Sequence, residues 1–238
     1  MIVLMLGSGP SATRARDWPR APFDRVVAIN NAWRVRDDWD HLVYPFDFPS
    51  DRMPPKDSGA GAGHLIDQSH FVPAQNAYGG FVFGGATMAF TATYWALHAL
   101  KPTVIAYLGC DMVYTPTGPT HFYGTGTADP LRSDMSLRSL EAKSARAAAL
   151  AAREGCALVN LSTEPSRLAV RRAQVSDIAS IRPPATEDDI IDRALHAEAA
   201  LGYTTPTGFH DHITDPDLDA LDAIDRLWMR STRARETA

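Results

Sequence analysis

Apolar positions along the chain fall into short continuous runs separated by turn chemistry. The first, Ile2 to Leu6, is β-branched and leucine residues without a polar break, then glycine. That is the pattern of a parallel strand buried on both faces. Residues 25–30, 41–46, 103–108 and 157–161 repeat it, giving five predicted strands. Two long helical patterns accompany the last two. Residues 86–100 are apolar on nearly all sides and stop before Pro102, which cannot continue a helix. Residues 137–154 are alanine-rich, with Ser136 available as an N-cap and Gly155 at the C-terminal end. Strands alternating with helices predict an α/β fold: a Rossmann-like, mostly parallel sheet with helices on both faces, over residues 1–175. In such sheets ligands bind beyond the carboxyl ends of the strands, so the residues following each strand are the ones to inspect.

Two regions fall outside this alternation. Residues 49–85 are rich in Gly, Pro, Asp and Ser with little periodicity, and read either as a lid over a substrate or as a surface excursion. After Arg182-Pro183-Pro184 an acidic C-terminal helical extension, 183–238, is expected, with helices near 187–201 and 216–229. In the second, Leu218, Leu221, Ile224, Leu227 and Trp228 recur at helical spacing, so this helix docks on the core or on a second copy in a homo-oligomer.

Composition narrows the classes. With 238 residues, 45% of them hydrophobic, the chain can bury a full core. A formal net charge of −5 argues against nucleic acid as a partner, because binding a phosphate backbone needs concentrated Lys and Arg. Cys110 and Cys156 sit beside apolar runs and read as reduced core thiols. The opening run is too short for a signal peptide or a membrane span, so a cytoplasmic location is expected.

The chemistry begins at Gly7-Ser8-Gly9-Pro10-Ser11, directly after the first strand. Such a turn lets the backbone approach a phosphate, and Pro10 suits a first helical position. Gly7, Gly9 and Ala12 also satisfy the dinucleotide pattern G-x-G-x-x-G/A. A dinucleotide site normally ends its second strand in Asp or Glu, whereas this strand ends in Asn30-Asn31. Two amides suit recognition of a base or sugar; the other reading is a polar turn capping the next segment. His210-Asp211-His212 lacks a third ligand nearby and reads as a solvated loop, and Arg167, Arg171 and Arg172 meet either an anionic substrate or solvent. No P-loop pattern is present in the sequence.

The opening GSGPSA, the second-strand ending AINN, the long helix from Gly84-Gly85, the segment YLGCDMVY and a downstream His-rich stretch occur in order, the similarity running over roughly residues 1 to 170. Together they resemble the bacterial sialyltransferase-like proteins that use CMP-sugars, and the related pterin-pyrophosphokinase-like proteins. The resemblance implies a GT-A-like variant of the fold, a CMP-activated sugar donor as substrate rather than a bound cofactor, a sugar or glycan acceptor, and no obligatory metal. It places the nucleotide at Gly7, Ser8, Gly9, Pro10, Ser11, Asn30, Asn31, Gly85 and Asp111, with Ser8 standing where the sialyltransferases have asparagine. It also implies His121 as general base, with Tyr114 and Tyr123 stabilising the departing phosphate. Chemically the set is coherent. A phosphate monoester leaving group can be stabilised by hydroxyls and N–H groups, and a neutral imidazole can take the acceptor hydroxyl's proton. Pyrophosphoryl transfer to a pterin-like substrate and a non-catalytic nucleotide sensor are the competing readings.

Overall fold

The computed structural model describes residues 1–56, 58, 63–114, 117–125 and 133–232. Six strands form one all-parallel sheet: β1 (Ile2–Leu6), β2 (Arg25–Ile29), β3 (His41–Val43), β4 (His64–Ile66), β5 (Val104–Leu108) and β6 (Ala157–Asn160), in the order β4-β3-β2-β1-β5-β6. The chain winds outward from β1 through β2, β3 and β4, then returns to the other side of β1 for β5 and β6. The reversal lies between β1 and β5, which run in register from Ile2 beside Val104 to Leu6 beside Leu108. The expected Rossmann-like α/β fold is therefore present.

The alternating side chains of each strand feed two cores. Val3, Met5, Val27, Ile29 and Val43 face α1 (Gln68–Ala77), α2 (Gly80–Gly84), α3 (Met88–Leu100) and α4 (Leu140–Arg153). Leu4, Leu6, Val26, Ala28 and Leu42 face the other way, where the cover is short 3-10 turns at Pro10–Ala15, Asn30–Arg34 and Val175–Ser180. The helices over the second face are thus short 3-10 segments of five or six residues, and among the described residues the α-helices that join a core lie over the first.

Several boundaries differ from the sequence reading. β3 ends at Val43 rather than 46, because Pro45 has no N–H for the ladder. Residues 49–85 are not one excursion: they contain β4, α1 and α2, which build the sheet edge and its cover. β4 was hidden because it has only three residues, two of them exposed. α4 is capped by Ser139, whose side chain accepts from Ala142 N, and not by Ser136. Ser136 instead belongs to a preceding 3-10 turn whose cap is Asp134. Gly155 does follow the end of α4 with φ +78. Both cysteines are buried and free, and burial raises both thiol pKa values, Cys156 to about 12.

The segment beyond Pro184 docks on the chain's own core. Ile191 and Ala194 of α5 (Asp188–Leu201), with Leu221, Ile224 and Trp228 of α6 (Leu218–Trp228), join the core of α3 and α4. Two buried ion pairs register the contact. Arg146 of α4 grips Glu198 with two bonds of 2.8 Å, and also donates to Tyr94 Oη at 2.9 Å. Trp228 Nε1 donates to Glu198 at 2.7 Å, and Lys143 reaches Asp225 at 3.1 Å. Leu218, expected on the apolar stripe, is 41% exposed.

Candidate functional site

A cavity of about 670 Å³ opens where the sheet reverses direction, lined by the exits of β1, β2, β3 and β5. Gly7, Ser8, Gly9, Pro10 and Ser11 form one wall, and Asn30, Asn31 and Asp111 form others. His121, Tyr114 and Tyr123 close it from the loop after β5. Of the residues expected at a site, only Gly85 does not line it. Gly85 (φ +86) lies against Phe90 and Lys143, and its carbonyl accepts from Gln75 Nε2 at 2.8 Å, so it shapes the entry to α3.

The glycines at the first turn have a cause that the sequence did not reveal. Neither Gly7 nor Gly9 adopts a positive φ. Instead the β1 and β5 exits touch: Gly9 N donates to Gly109 O at 2.8 Å, and a Cβ on Gly9 would stand 2.8 Å from that oxygen. A Cβ on Gly7 would overlap the same carbonyl and lie 2.7 Å from Cys110 Sγ. Gly109, at φ +73, would place its own Cβ 2.7 Å from Ala12 Cβ. The turn is glycine-rich because two loops cross there with no room for side chains.

Asp111 ties three strand exits together. It accepts from Ser11 Oγ at 3.3 Å and from Asn160 Nδ2 at 3.0 Å, while its backbone carbonyl accepts from Arg167 N at 2.9 Å. This is the loop-fixing role open to a strand-end aspartate.

At the β2 exit, Asn30 has φ +53, a left-handed conformation that asparagine tolerates better than most residues. Asn31 is 3% exposed. The Oδ1 atoms of both are buried without a hydrogen-bond partner. An unmet buried acceptor costs about 1–3 kcal/mol, and here two stand side by side in one cavity wall. Met112, beyond Asp111, is a second residue in the left-handed region, at φ +53. Strained backbone thus occurs on both sides of the cavity, as it does where a site holds geometry ready for a ligand.

His121 sits in a tight turn closed by His121 N to Gly124 O (2.9 Å) and Gly124 N to His121 O (3.0 Å). Phe122 N donates to Ser8 O at 3.0 Å, docking this turn onto the glycine-rich loop. The imidazole stacks on Tyr123, centroids 5.0 Å apart, with Tyr114 at 6.3 Å on a tilted plane. Nδ1 lies 2.8 Å from Thr120 Oγ1. Burial lowers the imidazole pKa below its ordinary value, so the ring is neutral at pH 7. When Nδ1–H donates to Thr120, the lone pair on Nε2 is free for proton abstraction.

Other lining residues escaped the sequence reading. Arg14 and Arg52 supply positive charge, and neither pairs with a carboxylate among the described residues; Arg14 has only a 3.4 Å bond to Thr163. Nothing in their sequence context marked them. Pro45, Asp47 and Phe48 line the cavity as the β3 exit, concealed by reading that strand three residues too long. Thr87 and Met88 also line the cavity, because α3 begins at Met88 rather than at 86 and Thr87 caps it by accepting from Phe90 N.

The remaining candidates lie elsewhere. His210 is not solvated: it pairs with Asp134 at 3.1 Å and is 16% exposed at its side chain. Burial raises the Asp134 pKa, but bonds from His210 and Ser136 override that and hold it below the usual range. Arg167 is bound by Glu141 at 2.8 and 3.0 Å, Arg172 donates to the carbonyls of Ser162 and Glu164, and Arg171 donates to that of Arg182. Among the described residues no three His, Cys, Asp or Glu side chains cluster to hold a metal ion, and no helix is long and apolar enough to cross a membrane. Comparison of the chain with protein-family models, with curated proteins and with solved structures gives no match.

Proposed function

We propose that this chain is a glycosyltransferase that moves a sugar from a CMP-activated donor to a hydroxyl acceptor, with His121 as general base. The observation that carries the reading is an imidazole stacked on Tyr123 with Tyr114 nearby, its pKa lowered by burial, in a turn that is hydrogen-bonded to the glycine-rich loop. The imidazole and the glycine-rich loop line one cavity, whose volume is ordinary for a small-ligand site.

The donor's phosphate lies toward Gly7–Ser11, within the field of Arg14 and Arg52. The amides of Asn30 and Asn31 turn about χ2 to meet donor groups of the ribose or base, relieving their unmet oxygens. In the transfer, the acceptor oxygen bonds to the anomeric carbon and its proton passes to His121 Nε2. The bond between that carbon and the phosphate oxygen breaks, and CMP leaves with the electron pair. The hydroxyls of Tyr114 and Tyr123 and the two arginines stabilise its charge. A dinucleotide reading is weaker, because β2 ends in amides where an acidic residue would hold the adenosine ribose.

Thermal denaturation with CMP, ATP or NAD, each with and without EDTA, tests the reading. A ligand at one hundred times its Kd adds about 2.7 kcal/mol, a rise of roughly 5–10 °C for a chain of this size. CMP is expected to give that rise with or without chelator. No shift with CMP contradicts the proposal, and an ATP shift abolished by EDTA favours pyrophosphoryl transfer instead.

A further inference from the structure

The plane of the His121 ring and the edge it presents are fixed by different neighbours. Stacking sets the plane: Tyr123 lies 5.0 Å away between centroids and 25° away between planes, and Phe122 braces Tyr123 edge-on at 5.1 Å. Beneath the ring the backbone is closed by the paired bonds between His121 and Gly124, and Phe122 N anchors it on Ser8 O. None of these contacts tells one edge of the imidazole from the other. A half-turn about the bond joining the ring to Cβ leaves the stacked plane in place, yet exchanges Nδ1 with Cδ2 and Nε2 with Cε1.

One contact does tell them apart. Thr120 Oγ1 lies 2.8 Å from Nδ1, well within hydrogen-bonding range. Turned over, the ring offers Cδ2 to the same oxygen and the bond is lost. Thr120 is itself buried and lines the cavity with His121. The net strength of such a bond favours the bonded orientation roughly 2–13-fold. A base turned to its other edge carries its nitrogen away from the atom it serves, and a displacement of about 1 Å near reacting groups costs about 10²-fold in rate.

The same contact acts on the proton. In a neutral imidazole one nitrogen carries hydrogen and the other a lone pair, and the bond made by one decides the state of the other. When the Thr120 hydroxyl accepts from Nδ1–H, Nε2 keeps its lone pair. In the reverse sense Thr120 donates to Nδ1, and Nε2 bears the hydrogen and takes no proton. A base needs the first arrangement. Among the described residues no carboxylate bonds this ring, so the task an aspartate performs in a catalytic triad falls to a neighbouring hydroxyl.

We infer that Thr120 is the positioning residue for His121: its hydroxyl accepts from Nδ1–H, holds the ring to one edge and one tautomer, and leaves the Nε2 lone pair for the proton of the acceptor hydroxyl. The inference rests on the reading of His121 as the general base. Thr120 itself takes no part in bond making.

The test is long-range proton–nitrogen correlation NMR on isotope-labelled protein at about pH 7.5, where an ordinary imidazole is already neutral. The spectrum reads which nitrogen of each histidine ring carries hydrogen, and the pattern of His121 is the one lost in His121→Gln. In the unaltered protein His121 is expected to carry hydrogen chiefly at Nδ1. Thr120→Val keeps the branched shape without the hydroxyl and should lower the ratio of Nδ1–H to Nε2–H at least about threefold. Thr120→Ser restores the hydroxyl and should return the ratio to within about twofold of the unaltered value, a rescue that lost packing alone would not give. Hydrogen chiefly at Nε2 in the unaltered protein, a measurement that needs no variant, overturns the inference, and so does a Thr120→Val ratio equal to the unaltered one. CMP is titrated by calorimetry into the same unaltered sample. Absence of CMP binding while the tautomer ratios behave as expected overturns the glycosyltransferase reading and leaves Thr120 as the group that sets the ring.

Discussion

Replacing Gly7 by alanine asks whether the loops leaving β1 and β5 are locked against each other. The new Cβ overlaps the carbonyl oxygen of Gly109 and lies 2.7 Å from Cys110 Sγ. Carbon contacts relax only near about 3.5 Å, and neither obstacle is the loose end of a flexible side chain. Gly109 O is held by Gly9 N at 2.8 Å, and Cys110 is 4% exposed. The two loops must therefore part by about 1 Å. Overpacking of this kind costs about 1–3 kcal/mol, and loss of the Gly9 bond adds about 0.5–1.5 kcal/mol. The expected total is roughly 1.5–4.5 kcal/mol. Gly155→Ala is the reference: φ is +78, but nothing lies within 4 Å of its Cβ, so only the left-handed strain of about 1–2 kcal/mol remains. Urea denaturation gives both stabilities, and titration with CMP gives the effect on the site. Gly7→Ala should be the less stable of the two and lose at least tenfold in CMP affinity, while Gly155→Ala keeps it. Equal stability of the two variants with CMP affinity intact in both would refute the crossing-loop explanation.

Three further outcomes follow from the same geometry. Glu198→Ala strands the fully buried Arg146 and should cost about 3–5 kcal/mol in urea denaturation; a cost below about 1 kcal/mol would contradict the assigned burial. His41, beside His64 and Trp95, has its pKa pushed down to about 4 by burial. Between that value and the ordinary 6.5 the unfolded chain binds the proton that the folded chain refuses, so stability should fall as pH drops from 6.5 to 4, and His41→Gln should flatten the slope of urea midpoint against pH. His121→Ala should lower sugar transfer by about 10²–10⁴-fold with CMP affinity unchanged; transfer at the original rate would remove His121 from the chemistry.

Strands buried on both faces were legible because their apolar runs are continuous: β1, β2, β5 and β6 sit within a residue or two of the predicted positions. β4 was not, because a three-residue edge strand with only Ile66 buried carries too short a pattern to rise above its Gly- and Pro-rich surroundings. The site was legible where residues follow strands directly, as at Gly7–Ser11, Asn30-Asn31 and Asp111. It was not legible at Arg14 and Arg52, which the fold brings together from unrelated turns. Gly85 shows the converse. Its glycine signal was real, but the cause was the crowding of Phe90 and Lys143 rather than a ligand. Gly7 and Gly9 carry the same lesson, since the pattern expected where a backbone approaches a phosphate is also the one that the crossing with Gly109 requires. His210 looked solvated because its partner, Asp134, is remote in the chain.

A crystal structure of the protein grown with CMP tests the central claim most directly. The expected result is nucleotide density between the β1 and β5 exits, with the phosphate against Gly7–Ser11 and the side chains of Asn30 and Asn31 turned to hydrogen-bond the ribose or base. An empty cavity at saturating CMP, or CMP bound elsewhere on the chain, would contradict the assignment.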